Sequence, residues 1–158
     1  MDSFAMWLKG TPISWFMTEV QWAWPACETL HFIGLTLLVG VAGLFDLRLL
    51  GFARELPIGP LTRLLPWAVG GFLLNLTTGL MFFAGDPLQY TGNIAFWMKM
   101  LFVAMAGANV LVFTIGPMHQ TVVLGPGEDA PRVAKVTAAI SLFCWFFVMY
   151  WGRMLPWF

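Results

Sequence analysis

Four long apolar runs, separated by short polar segments, dominate the pattern of hydrophobic positions. Asp, Glu, Lys and Arg are absent from the 17 residues between Glu28 and Asp46, the 22 between Arg63 and Asp86, the 28 between Lys99 and Glu128 and the 17 between Lys135 and Arg153. A helix needs roughly 20 apolar residues to cross about 30 Å of hydrocarbon. The pattern therefore predicts four membrane spans, at about residues 25–46, 64–85, 94–116 and 133–155.

The first 24 residues have a different pattern. Two short apolar stretches, 3–8 and 13–18, are separated by the sequence Lys9-Gly10-Thr11-Pro12. The interruption and the absence of a basic start argue against a cleaved signal. We predict an interfacial N-terminal segment over residues 1–24 and a four-helix transmembrane domain over residues 25–158. The predicted fold class is an all-α, integral membrane four-helix bundle.

Composition supports this class and restricts the partners. The 158 residues are 59% hydrophobic and only 10% charged, whereas soluble domains are about 25% charged. The formal net charge of zero gives no reason to expect nucleic acid. The expected partner is the lipid bilayer, with a homo-oligomer or a larger membrane complex left open. Cys27 and Cys144 fall in different spans at different depths, so we expect neither a disulfide nor a cysteine metal site.

Positive residues in the connections give the orientation. Loops on one side carry five of them, Arg48, Arg54, Arg63, Arg132 and Lys135, and the other side carries three, Lys9, Lys99 and Arg153. Cytoplasmic loops are the more positive ones. We therefore expect both termini to lie outside the cytoplasm.

His31 and Lys99 are ionisable residues inside the first and third predicted spans. At 1.5 Å per residue they lie about 9 Å and about 8 Å below the outer ends of those spans, and hence in one layer. Ionisable residues within a membrane indicate function or a specific partner. Glu28, Met81 and Arg153 fall close to the same layer, whereas His119 lies beyond the opposite end of the third span.

Glu28 and His31 form a single Glu-x-x-His motif on one helix face. Di-iron sites need two such motifs and two further glutamates, which this sequence lacks. One histidine in an apolar bundle suffices as an axial ligand of haem iron. We therefore predict a haem b site with His31 as the metal ligand. The iron would be five-coordinate, or it would have Met81, Met149 or Lys99 as a sixth ligand.

The other residues of the layer complete this hypothesis. Lys99 and Arg153 are expected to hold the haem propionates, and Glu28 to hydrogen-bond His31 or to pair with Arg153. In the alternative interpretation, His31 is a structural histidine bonded to a backbone carbonyl or to Glu28, and Lys99 extends its ammonium group outward.

Further polar residues in the spans have structural interpretations. Gly71, Asn75 and Gly79 form a stripe that favours close helix packing. Asn75 and Asn109, both near mid-membrane, are expected to make interhelical hydrogen bonds, or else to line a polar cavity. Asp46 is expected to end the first span and to pair with Arg48 or with an arginine of the following loop.

The chain also resembles a bacterial family of four-helix membrane proteins that has no established activity. The resemblance rests on Trp24-Pro25-x-x-Glu28-x-x-His31-x-x-Gly34, Asp46-Leu47-Arg48-Leu49-Leu50-Gly51, Leu65-Pro66-Trp67, Gly71-Phe72, Thr78-Gly79, Tyr90, Asn93, Phe96, Lys99, Asn109 and Gly152-Arg153. More distantly, it is similar to the small four-helix membrane protoporphyrinogen oxidase and to the membrane domain of copper resistance protein D. The oxidase has a histidine in its first span and a lysine in its third, and His31 and Lys99 are the same residue types in the corresponding spans. This resemblance implies that the chain binds haem b.

These observations leave three functions to compare. The first is a b-type haem protein in electron transfer or haem-linked redox chemistry. The second is a cofactor-free accessory or assembly subunit of a membrane complex, with the charged layer purely structural. The third is a transporter of copper or another small solute, which the lack of a polar stripe across the whole bilayer disfavours.

Overall fold

The computed structural model describes residues 2–158, and every regular element in that range is helical. Four helices are long and apolar enough to cross a membrane, which confirms the predicted all-α four-helix bundle. The elements are α1 (Asp2–Lys9), α2 (Pro12–Glu19), α3 (Ala23–Leu50), α4 (Ile58–Thr62), α5 (Leu65–Gly85), α6 (Pro87–Thr91), α7 (Ile94–Ile115), α8 (Met118–Val122), α9 (Arg132–Met154) and a 3₁₀ turn (Leu155–Trp157).

The last three long helices begin and end within one residue of the predicted bounds, but the first one, α3, does not. It continues to Leu50, because Asp46 and Arg48 are buried side chains and not the polar end of a span. Gly51 ends the helix instead: its φ of 102° places it in the left-handed region, and its N–H bonds back to the Arg48 carbonyl. This is the usual glycine stop of a helix.

The four long helices pack in the order α5, α3, α9, α7. Because α5 and α7 are the outer members of this row, they face each other across a cavity rather than packing closely. We refer to the two ends of the bundle as the His31 end, where α3 begins and α9 stops, and the Arg48 end, where α3 stops and α9 begins.

Two glycines allow α3 and α5 to approach closely. A Cβ atom on Gly71 would lie 2.6 Å from the Gly34 carbonyl oxygen and 2.8 Å from the Leu38 nitrogen. A Cβ on Gly34 would lie 2.9 Å from the Gly71 carbonyl oxygen. The backbones thus touch where the predicted stripe places a small residue. Gly79, which the same pattern includes, has nothing within 4 Å of its Cβ position and takes no part in this contact.

We expect Gly71→Ala to destabilise the protein, because the added methyl group meets the backbone of α3, which cannot move without separating the helices. Overpacking of this kind costs about 1–3 kcal/mol. Gly70→Ala is the matched control, since a Cβ on Gly70 meets nothing within 4 Å and alanine favours the helix. Unfolding in mixed micelles measures both. Equal effects of the two substitutions would contradict this account of the α3–α5 contact.

At the Arg48 end, one arginine connects α3 to two loops. Arg48 is 1% exposed, and its Nε donates to the Leu56 carbonyl at 2.6 Å. Its Nη2 donates to the carbonyls of Gly125 and Glu128 at 3.1 and 3.3 Å. The two loops also bond directly through the Gly127 N–H and the Arg54 carbonyl. This arrangement closes the bundle on the side opposite His31.

Candidate functional site

His31 lies half-buried on α3, and its Nδ1 is 2.7 Å from the Thr78 hydroxyl oxygen on α5. The single proton of that hydroxyl is already directed to the α5 backbone, with the Leu74 carbonyl at 2.7 Å and the Asn75 carbonyl at 3.2 Å. We therefore assign the imidazole proton to Nδ1, which donates to Thr78. This tautomer leaves the lone pair on Nε2, which has no hydrogen-bond partner among residues 2–158.

Aromatic packing holds the imidazole in place. The Phe82 ring meets the His31 ring edge to face, with centroids 5.7 Å apart, and the Trp24 ring lies against Phe82 at 5.1 Å. Together with the Thr78 hydrogen bond, these contacts fix the ring plane and the direction of Nε2. Support of this kind from surrounding residues is typical of histidines that bind metals.

Lys99, on α7, contacts α9 at a glycine. Its Nζ is 3.5 Å from the position that a Cβ on Gly152 would occupy, which is ordinary van der Waals contact. Within the part of the chain that the structure describes, Lys99 makes no hydrogen bond or ion pair. A cation of this kind within a membrane span needs an anion or a route to water.

Asn93 fixes the start of α7, the helix that carries Lys99. Its side-chain oxygen accepts from the Ala95 N–H at the start of α7, 2.8 Å away. Its amide nitrogen donates to the Leu155 carbonyl at the end of α9, also 2.8 Å away. One buried side chain thus caps α7 and ties it to the last turn of the bundle. The sequence resemblance includes Asn93, but its spacing alone gives no sign of this function.

The remaining predicted site residues have varied positions. Glu28 is exposed and makes neither of its predicted contacts, since Thr78 takes the His31 proton and no Glu28–Arg153 ion pair occurs in residues 2–158. Arg153 is exposed on the last turn of α9, one residue beyond the Gly152 contact. Met81 packs against the buried residues Met17, Ala23 and Cys27, and His119 lies on α8 at the Arg48 end.

Tyr90 is a polar aromatic residue at the His31 end of the bundle. It lies among Phe83 and Phe96, with ring centroids 6.2 and 5.5 Å away. Burial raises the pKa of the Tyr90 phenol to about 12, and the nearby Asp86 carboxylate adds to the effect. The phenol is therefore neutral at physiological pH.

No group of three or more His, Cys, Asp or Glu side chains in the described chain is placed to hold a metal ion. A porphyrin brings four nitrogen ligands of its own, so it requires only one or two from the protein. The His31 end supplies one imidazole and one ammonium group that has no partner among residues 2–158, which matches that requirement and the charge of a propionate. The residues present therefore fit a haem better than a bare metal ion.

A second polar group lies in the cavity between α5 and α7, which has a volume of about 400 Å³. The polar residues of its lining are Asp46, Asn109, Thr114, Thr137 and Ser141, and the rest is apolar. The predicted ion pair of Asp46 is wrong: no arginine lies within ion-pair distance in residues 2–158, and Oδ2 has no hydrogen-bond partner. Arg48 instead donates hydrogen bonds to the loop carbonyls, and Arg54 forms an ion pair with Asp129 at 3.5 Å.

The two mid-membrane asparagines differ. Asn109 makes the predicted interhelical bond, from its amide nitrogen on α7 to the Thr137 carbonyl on α9 at 3.0 Å. The prediction for Asn75 is wrong, because its amide nitrogen bonds the Gly71 carbonyl of its own helix at 3.1 Å. The Asn75 Oδ1 is buried and has no hydrogen-bond partner within the described chain. Asp46, Asn109 and Ser141 lie at similar depths in their spans, so a comparison of depths along the sequence would have indicated that they form one polar group.

Comparison with protein-family models, with curated proteins and with solved structures gives no match to this chain. The function must therefore be argued from the two polar groups just described.

Proposed function

We propose that this protein binds haem b at the His31 end of its bundle and acts in electron transfer or haem-linked redox chemistry. The observation that carries the proposal is the His31–Thr78–Leu74 chain of hydrogen bonds, which leaves the Nε2 lone pair available in a fixed direction. A neutral imidazole of this tautomer is the usual axial ligand of haem iron. Bound haem would supply a one-electron carrier.

The residues around His31 have different roles in this proposal. Lys99 supplies a positive charge for a propionate, and Arg153 extends that charge to the membrane surface. Phe82 packs edge to face with the imidazole, and Trp24 packs against Phe82. The excess of positive residues at the Arg48 end supports a location in the bacterial inner membrane with both termini in the periplasm.

Titration of haemin into protein purified from haem-depleted cells tests the proposal. We expect a saturable Soret band at one haemin per chain, with bound ferrous haem of the b type after reduction. His119→Ala should bind equally well, because His119 is at the opposite end of the molecule. A spectrum identical to that of haemin in empty micelles would contradict the proposal and would favour the cofactor-free accessory subunit.

The role of Lys99 has its own prediction. Lys99→Met should weaken haemin binding roughly tenfold, since one propionate loses an ion pair worth about 1.4 kcal/mol. The same variant should bind haemin dimethyl ester as wild type does, because the ester has no propionate charge. Side-by-side titrations of the two ligands measure this. Equal weakening for haemin and its ester would show that Lys99 acts on the fold and not on a propionate.

A further inference from the structure

The cavity between α5 and α7 contains hydrogen-bond acceptors that lack donors. Asp46 is 7% exposed, and its Oδ2 has no partner among residues 2–158. Asn109 is 9% exposed, and its amide orientation is set by the bond from Nδ2 to the Thr137 carbonyl. Its Oδ1 is therefore an acceptor, and it makes no hydrogen bond within the described chain. A buried acceptor such as Asp46 Oδ2 is costly unless a donor reaches it.

These acceptors lie on different walls of the cavity. Asp46 comes from α3 and Asn109 from α7, and both line the same space. The neighbouring Thr137 hydroxyl does not donate to either one, because it donates to the Ala134 carbonyl of its own helix at 2.9 Å. The Ser141 hydroxyl lies close to the Asp46 carboxyl, but Oδ2 remains without a hydrogen-bond partner among residues 2–158. A ligand that hydrogen-bonds both acceptors needs two donor groups, placed on opposite sides of a small polar head.

The rest of the lining limits what that head can be. No Lys, Arg or His contributes to the cavity, so an anionic head such as a carboxylate or a phosphate would meet Asp46 without a counterion. Aromatic side chains surround the space, namely Phe45, Phe72, Phe113 and Trp145. They favour a flat ring, which packs well in offset or edge-to-face contact. The volume of about 400 Å³ falls within the usual range for small-molecule sites.

The direction of the opening indicates an apolar tail. The cavity lies between α5 and α7, the two long helices that are not packed on each other. In a membrane, such a gap faces the lipid chains. A ligand with its ring in the cavity can therefore leave a long hydrocarbon tail in the bilayer.

From these observations, we propose that the cavity between α5 and α7 binds a lipid-soluble quinol, an aromatic ring with two hydroxyl groups and an apolar tail. One hydroxyl donates to Asp46 and the other to Asn109. The carboxyl plane turns easily about its last torsion, so either oxygen of Asp46 can accept. The corresponding quinone has only acceptors and should bind more weakly. This site is separate from His31 and does not depend on haem binding.

Anaerobic calorimetry on the full chain in lipid nanodiscs tests the proposal, with decylubiquinol and decylubiquinone as probes. We expect saturable binding of the quinol at one per chain, at least tenfold tighter than that of the quinone. Asp46→Asn should reduce this preference at least tenfold, because the new amide group adds a donor that suits the quinone. Tighter binding of the quinone by the wild type, or an unchanged preference in Asp46→Asn, would overturn the proposal.

Substitutions of two glycines distinguish quinol binding in the cavity from partitioning of the quinol into the membrane. Gly107 lines the cavity, and a Cβ there meets nothing within 4 Å, so Gly107→Phe should fold and fill the space. Gly70→Phe is the matched control, because its Cβ position is equally open and the residue is not part of the lining. We expect Gly107→Phe alone to abolish quinol binding. The same heat from wild type and Gly107→Phe would overturn the site.

Two further outcomes would indicate that the cavity binds something other than a quinol. If Gly107→Phe converts an oligomer to a monomer and the wild type binds no quinol, the cavity is a contact between copies of this chain. If dodecylamine displaces decylubiquinol and binds more than tenfold tighter, the site is built for a cation. Either result would overturn the quinol assignment.

Discussion

His31→Ala is expected to eliminate the Soret band of the protein purified from haem-replete cells, while the folded bundle is retained. The substitution removes the one imidazole of the His31 end, whose Nε2 is free of hydrogen bonds in residues 2–158. The loss of packing is limited, because His31 is only half-buried and is not part of the buried hydrophobic clusters. Absorption spectra at equal protein concentration measure the effect, with gel filtration as the test of folding.

Thr78→Val distinguishes a ligand from a merely structural histidine. It keeps the shape of the side chain but removes the acceptor that holds the imidazole Nδ1 proton, 2.7 Å away. Loss of such an outer partner typically costs about 10–100-fold in metal affinity. We therefore expect Thr78→Val to bind haemin more weakly and with a shifted Soret maximum. Full haem occupancy with an unchanged spectrum in His31→Ala would contradict the assignment of His31, whatever Thr78→Val does.

Arg48→Met is expected to be the most destabilising single substitution among the charged residues. Three backbone carbonyls, those of Leu56, Gly125 and Glu128, lose the donor that they share in the wild type. Hydrogen bonds to charged groups contribute about 1.5–3 kcal/mol each, and buried acceptors left without partners add to the loss. Because the bonds are coupled and the loops can admit water, we expect a total of about 3–5 kcal/mol.

The control for Arg48→Met is Arg54→Met in the adjacent loop. Arg54 is exposed and pairs with Asp129 at 3.5 Å, and both side chains are about half exposed. Exposed ion pairs of this kind contribute about 0–1 kcal/mol. Unfolding of both variants in mixed micelles, followed by far-UV circular dichroism, compares them. A loss of less than about 1 kcal/mol in Arg48→Met would mean that the two loops hold together without it.

The sequence predicts the spans well because hydrocarbon thickness fixes their length and proline, glycine and charged residues mark their ends. The error at the end of α3 has a physical cause. Charged residues usually mark the membrane surface, but Asp46 lines a cavity and Arg48 points into the loops. One-dimensional patterns give the depth of a side chain but not which neighbouring carbonyls or helices it meets.

The same limit applies to the candidate site. Depth alone predicts that His31 and Lys99 share a layer, but the sequence assigns Glu28 as the histidine's partner because it shares the helix face. Thr78 is the hydrogen-bond partner of His31 instead, because Gly34 and Gly71 allow α5 to pack against α3. That contact depends on which helices are neighbours in the bundle. For the same reason, the cavity between α5 and α7 follows from the packing order and has no linear motif.

The most direct test of the central claim is the absorption spectrum of the wild-type protein from haem-replete cells, oxidised and then reduced with dithionite, together with a pyridine haemochrome assay. The account predicts a Soret band, reduced peaks of the b type and close to one haem per chain. A colourless protein that is folded and fully extracted from those cells would contradict it, and His31 and Lys99 would then be a structural polar layer.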